Sequence, residues 1–199
     1  MKHKTAHQTK AYMILVTGTP GTGKTTISKS LARQLHANYL SLTQLVFDKK
    51  LHADFDRQRR TRVVDLDRAR AWLKSSLHKS KTITVLDTHI SDAAPREYVW
   101  KIIVLRCNPI LLEARLRRKR WAATKVRENV IAEILDSCYT TAIQYYGSKN
   151  ICQLDTSRAG VRKNVAQCIA LLKRKNPVIR RIDWISVLEK DQALERFML

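Results

Sequence analysis

Gly18, Gly23, Lys24 and Thr25 fall at the spacing G-x-x-x-x-G-K-[ST]. Each residue type in that spacing has a task at a phosphate group. Gly18, Gly21 and Gly23 let the backbone bend until consecutive N–H groups point inward at an anion. A helix opening near Lys24 adds the positive end of its dipole. The Lys24 ammonium can reach β- and γ-phosphates, and the Thr25 hydroxyl is a natural Mg²⁺ ligand. The pattern carries weight only when a strand precedes it and a helix follows. Both conditions hold: the apolar run Tyr12-Met13-Ile14-Leu15-Val16 comes before it and an amphipathic period after it.

A second set of chemical groups follows the run Thr82-Ile83-Thr84-Val85-Leu86-Asp87. This apolar-rich stretch reads as a strand that ends in a carboxylate. In open α/β sheets the carboxyl ends of strands face the ligand. Asp87 is therefore expected in the Mg²⁺ shell, through water, beside the phosphate loop. His89 lies two residues on and is expected to position a water or an acceptor group. A structural histidine bonded to a loop carbonyl is the alternative at that position.

The elements that must position these groups can be placed from periodicity. Ile27, Leu31 and Leu35, with Ala32 beside them, predict a helix from about Lys24 to Leu35. Tyr39–Leu42 reads as a short strand, and a short helix follows from Thr43 to Leu51. Asp54 to Arg62 is polar and reads as an exposed flap. Helix from Leu66 to Leu77, strand from Lys101 to Leu105, and a helix opened by Asn108-Pro109 come next. One long helix is expected from Thr124 to Tyr146, closed by Gly147. Ile151–Leu154 is the fifth strand and Val161–Leu172 the last helix of the domain. Strand alternating with helix predicts an α/β fold with a five-stranded parallel sheet and helices on both faces.

Composition bounds the partners. The chain has 199 residues, enough for one domain with short tails. No run is long and apolar enough to span a membrane, so no membrane role is expected. Cys107, Cys138, Cys152 and Cys168 form no C-x-x-C pair and read as reduced, buried thiols of a cytoplasmic protein. The formal net charge of +21 points to a polyanionic partner, with RNA first in the cytosol. Adaptation to unusual intracellular conditions is the competing explanation. The expected layout is a basic arm over 1–11, a domain over 12–172, and a basic tail over 173–199. In that tail Ile182, Ile185 and Leu188 offer an apolar face around Trp184, expected to dock on the domain.

Taken together the chain resembles the adenylate kinase isoenzyme 6 family, and its wording is nearest the archaeal branch. The resemblance covers about 12–172. It rests on Gly18-Thr19-Pro20-Gly21-Thr22-Gly23-Lys24-Thr25-Thr26, Val63-Val64-Asp65-Leu66-Asp67 and Asp87-Thr88-His89. Further support comes from Val104-Leu105-Arg106-Cys107, Lys125-Val126-Arg127-Glu128-Asn129 and Ala132-Glu133-Ile134-Leu135-Asp136. The family members are small nucleotide kinases and ATPases that assist maturation of the small ribosomal subunit. The resemblance implies a P-loop fold like that of nucleoside monophosphate kinases. It implies ATP on Gly21, Gly23, Lys24, Thr25 and Thr26, with Asp87 and His89 as a modified Walker B element. It also implies a monophosphate flap near 41–64 and a lid near 118–128. Ribosomal RNA and a small-subunit ribosomal protein of the platform are its implied partners.

Two departures bear on the reaction. The family lid carries Arg-Gly before an aromatic residue, whereas this chain has Lys119-Arg120-Trp121. Lys119 keeps the charge without the planar fork, and Arg120 can replace it only if the turn lacks a glycine conformation. The flap helix has Phe47 where an AMP-gripping arginine would align. AMP is thus the less secure substrate, and ATP hydrolysis survives both departures. The readings left open are a kinase with AMP as acceptor or an ATPase, an assembly factor using ATP as a switch, and a kinase for another small metabolite.

Overall fold

The structure, a computed structural model, describes residues 12–56, 61–174 and 181–198. The arm over 1–11 and the basic positions over 175–180 lie outside the described residues, as do 57–60 of the flap.

Five parallel strands build the central sheet: β1 (Met13–Gly18), β2 (Asn38–Ser41), β5 (Thr84–Asp87), β6 (Val99–Arg106) and β7 (Ile151–Asp155), in the order β2-β5-β1-β6-β7. β1 is buried along its whole length. A strand covered on both faces needs an apolar run, which β1 supplies over Met13–Val16 and β6 over Ile102–Leu105. Register sets Val16 beside Asp87 and Gly18 beside Leu105. The phosphate loop and the Asp87 carboxylate therefore leave the sheet at the same edge.

One face of the sheet buries Ile14, Val16 and Val85 under α1 (Lys24–Gln34) and α7 (Val161–Lys173), through Ile27, Leu31, Val165 and Cys168. The other buries Met13, Leu15 and Leu86 under α2 (Leu42–Asp48), α3 (Leu66–His78) and α6 (Ser137–Tyr146). The caps read from sequence include Asn108, whose side chain accepts from the N–H groups of Ile110 and Leu111 to open α4 (Pro109–Arg118). All four cysteines are free; Cys107, Cys152 and Cys168 are buried and Cys138 is half-buried. Among the described residues no helix is long and apolar enough to cross a membrane.

Two expectations need correction and one gains detail. The stretch read as a polar flap contains a two-stranded antiparallel hairpin, β3 (His52–Asp56) and β4 (Thr61–Val64). Cross-strand pairing satisfies backbone groups that the polar composition alone does not reveal. The long helix from Thr124 is two helices, α5 (Ala123–Ile134) and α6. Asp136 breaks it at φ 56°, where its carboxylate pairs with Arg106 and Arg181. The tail docks on the domain as α8 (Trp184–Lys190) and α9 (Glu195–Met198), but its buried face differs from the expected one. Trp184, Leu188 and Phe197 are buried, whereas Ile185 faces out.

Candidate active site

A cleft of about 1640 Å³ opens at the carboxyl ends of the strands. Its floor is the loop from Pro20 to Thr26, with Asp87, Thr88 and His89 on the neighbouring strand end. Ser41 and Thr43 enter from the β2–α2 junction. Arg115, Arg118, Lys119 and Trp121 come from α4 and the turn after it, and Thr124 and Lys125 from α5. Thr156, Gly160 and Asn164 close the far side.

The loop places the expected groups differently from one another. Lys24 opens α1 and is only 9% exposed; its ammonium donates to Thr19 O at 3.1 Å. Burial holds its pKa below the ordinary lysine value of 10.5. Gly21 and Gly23 take φ of 96° and 97°, so the loop bends as only glycine does readily. A Cβ on Gly21 would meet Leu112 at 2.7 Å, whereas one on Gly23 would meet only Ile27 at 3.7 Å. Thr25 and Thr26 line the cleft directly.

Gly18 has another role. Its φ is 140°, and a Cβ there would fall 2.3 Å from Leu105 O. It is not among the cleft-lining residues; it lets β1 and β6 pack closely. Expected among the phosphate contacts, it stands at the end of β1, just before the part of the loop that lines the cleft.

Asp87 is 5% exposed, and its Oδ2 accepts from Thr25 Oγ1 at 2.7 Å and from Tyr39 OH at 3.2 Å. Burial first, and then the Asp87 charge, push the Tyr39 phenol up to about 12. Tyr39 therefore remains a donor at neutral pH. Sequence reasoning missed it, although its place opposite Val85 on the adjoining strand could have been read once the pairing of β2 with β5 was known. His89 is exposed at the cleft, yet partial desolvation by the neighbouring protein, then the Lys24 charge, hold its pKa below 6.5. Its imidazole is neutral at pH 7, and its backbone carbonyl is 3.7 Å from Cys138 Sγ.

The lid expectations divide. Lys119 faces the cleft beside Arg115 and Arg118, whereas Arg120 is not among the lining residues. Arg120 sits at φ 57°, in the left-handed region. The turn thus keeps a glycine-like conformation, the case in which Arg120 was not expected to replace the missing fork. Trp121 is held under Lys125, whose ammonium is 4.7 Å from the ring centroid. Phe47 is 65% exposed on α2 and is not among the cleft residues.

The donor set fits a hard divalent cation carried by a nucleotide. Thr25 and Asp87 present oxygens side by side, and Mg²⁺ takes oxygen ligands while keeping several waters. Among the described residues no cluster of three or more His, Cys, Asp or Glu side chains is placed to hold a metal by itself.

Comparison with known proteins agrees with this geometry. Residues 14–136 match a family described as an AAA domain. A protein of Methanocaldococcus jannaschii named "Putative adenylate kinase" is 35% identical over 171 residues, which cover 86% of this chain and 92% of that one. A protein of Saccharolobus islandicus with the same name is 37% identical over 147 residues, 73% of this chain and 75% of that one. Among solved structures, shikimate kinase from Bacteroides thetaiotaomicron superposes with a TM-score of 0.57 at 16% identity, over 82% of this chain and 99% of that one. A gluconokinase from Sinorhizobium meliloti gives 0.52 at 16%, over 82% and 92%. These structural likenesses establish the P-loop kinase fold.

Proposed function

The chain belongs to the adenylate kinase isoenzyme 6 family, with its archaeal relatives, and from that membership we propose that it is a nucleotide kinase transferring the γ-phosphoryl group of ATP to AMP, with ATP hydrolysis as its second activity. The observation that carries this reading is the buried Lys24 over a glycine loop, next to the Thr25–Asp87 pair. Backbone N–H groups of the loop and the α1 dipole hold the phosphates. Lys24 neutralises charge on the β- and γ-oxygens. Thr25 and Asp87 would hold Mg²⁺, directly and through water, and the ion would neutralise charge that builds on the phosphate oxygens. Neutral His89 orients the attacking group: AMP phosphate or water. Arg115, Arg118, Lys119 and Lys125 close on the triphosphate from the lid side. Residues 41–64 form the acceptor flap and 118–128 the lid.

The acceptor is the point to test. The aligned flap position is Phe47, exposed on α2 and not among the residues that line the cleft, and α2 carries no arginine to grip a monophosphate there. ADP formation from ATP with and without AMP separates the activities. Two ADP per ATP, dependent on AMP, supports the kinase. One ADP and one phosphate, indifferent to AMP, supports hydrolysis. Neither product overturns both.

We further propose that the protein acts in the cytoplasm on the maturing small ribosomal subunit, where it meets ribosomal RNA and a platform ribosomal protein. The net charge of +21 favours this role and the second reading of the site as an ATP-driven switch.

A further inference from the structure

The segment over 181–198 does more than cover apolar surface. Leu188 and Phe197 share one buried cluster with Leu112 and Leu116 of α4 and Val126 and Val130 of α5. Those two leucines are also the side chains that a Cβ on Gly21 would strike, at 2.7 and 2.9 Å. α4 is therefore wedged between the phosphate loop and the C-terminal segment. Its other side carries Arg115 and Arg118 to the cleft.

Two polar clasps fix the arrangement. Arg196 pairs with Glu113 of α4, which is 8% exposed, and Arg117 takes the other carboxylate oxygen at 2.7 Å. At the far end of α5, Glu133 Oε1 accepts from Trp184 Nε1 at 2.9 Å, Arg106 Nε at 2.7 Å and Cys107 N at 3.1 Å. Arg106 and Glu133 are each 1% exposed. Arg106 also donates to Ile182 O at 3.4 Å, and Arg181 pairs with Asp136 at 3.3 Å. Each lid helix is thus tied to the segment through a buried carboxylate, on the side away from the cleft.

We infer that residues 181–198 form a strap that sets the position of α4 and α5, so that docking of the strap and binding of nucleotide strengthen one another. The inference rests on the nucleotide reading of the cleft. The lid cations need fixed helices behind them to meet a triphosphate, and a loosened helix must be ordered again on binding, at a cost in affinity. Thermodynamic coupling is reciprocal, so a triphosphate that needs the helices in place also holds the strap in place.

The test uses the full chain, Mg²⁺ and a non-hydrolysable ATP analogue. Arg196→Ala and Phe197→Ala loosen the strap, and Ile185→Ala, on its outer face, is the control. The expected result is analogue affinity roughly five- to tenfold weaker in both strap variants and unchanged in Ile185→Ala, in line with typical coupling between sites. In the wild-type chain, amide exchange over 181–198 is expected to slow with analogue at least about fivefold more than over α3, which lies away from the cleft and reports the general stabilisation that any native-state ligand brings. The exchange measurement needs no variant and stands even if one fails to fold. Analogue binding by the wild type with unchanged exchange and undiminished affinity in the strap variants overturns the strap alone. No binding by the wild type overturns the cleft reading and the coupling together.

Discussion

Thr25 Oγ1 donates a hydrogen bond to Asp87 Oδ2 across 2.7 Å, joining the phosphate loop to the end of β5. The two residues stand 62 positions apart in the chain, and the parallel register of β1 with β5 brings them together. Asp87→Ala is expected to lower Mg-ATP turnover by roughly 10²–10³-fold, the scale seen when a group facing developing charge is removed. Metal-free nucleotide binding should change far less. Equal losses in both, measured by steady-state kinetics and calorimetry, would mean that Asp87 serves the fold and not the ion.

The buried ammonium of Lys24 makes an opposite pair of predictions. Lys24→Met should cut turnover by roughly 10²-fold or more, since a contact to the transferring group is lost. Its stability should equal or exceed that of the wild type at pH 7. The sign follows from burial, which lowers the folded pKa below 10.5. Between the folded and unfolded values the unfolded chain binds more protons, so wild-type stability rises with pH through that window. Below it the folded state bears the full desolvation cost. Thermal melts at pH 7 of both proteins, with turnover assays beside them, check the pair. ATP should also draw protons onto Lys24 just below pH 10.5, visible as buffer-dependent binding heats.

His89 is held below pH 6.5 by its surroundings and by Lys24. Hydrolysis is therefore expected to be flat from about pH 6.5 upward through neutrality and to fall only on the acid side, as the ring gains its proton. His89→Ala should reduce hydrolysis by roughly 10²-fold while ATP affinity holds. A rate that falls together with affinity would leave the ring a structural part of the loop.

What the sequence made legible was local. The phosphate loop, the strand before it and the cap at Asn108 are each encoded within a few neighbouring residues. The parallel sheet followed from alternation of strands with helices, but its order, β2-β5-β1-β6-β7, did not. The break before α6 was not legible, because Asp136 leaves the helix to meet Arg106, thirty positions earlier and buried in β6. Trp184 was read as apolar, yet its burial depends on an indole N–H that finds Glu133. Tyr39 and Gly18 hide for the same reason: each role is set by a neighbouring strand, not by its own segment.

Glu133 holds three donors on one oxygen, so its removal is expected to be costly. Glu133→Ala leaves the Arg106 guanidinium buried with less compensation, and loss of one partner from a buried pair typically costs about 3–5 kcal/mol. Denaturant unfolding monitored by tryptophan fluorescence reads the change. A loss below about 1 kcal/mol, the range of exposed pairs, would mean that water reaches the site.

The last prediction concerns Arg120, in the turn between α4 and α5. The residue sits at φ 57°, outside the set that lines the cleft. A left-handed backbone costs an ordinary side chain roughly 1–2 kcal/mol, and glycine avoids that cost while adding freedom to the unfolded chain worth roughly 0.5–1 kcal/mol. The two terms nearly offset, with the balance toward glycine. Arg120→Gly should therefore leave stability unchanged or raise it by up to about 1 kcal/mol. ATP turnover should stay near wild type. Lys119→Ala, one position earlier and facing the cleft, should weaken ATP binding by about tenfold, the scale of one charge-assisted contact. Melting temperatures and ATP titrations of the two variants settle the division of labour. If Arg120→Gly costs as much affinity as Lys119→Ala, the arginine swings over the triphosphate when the lid closes, and its place outside the cleft belongs to the open state alone.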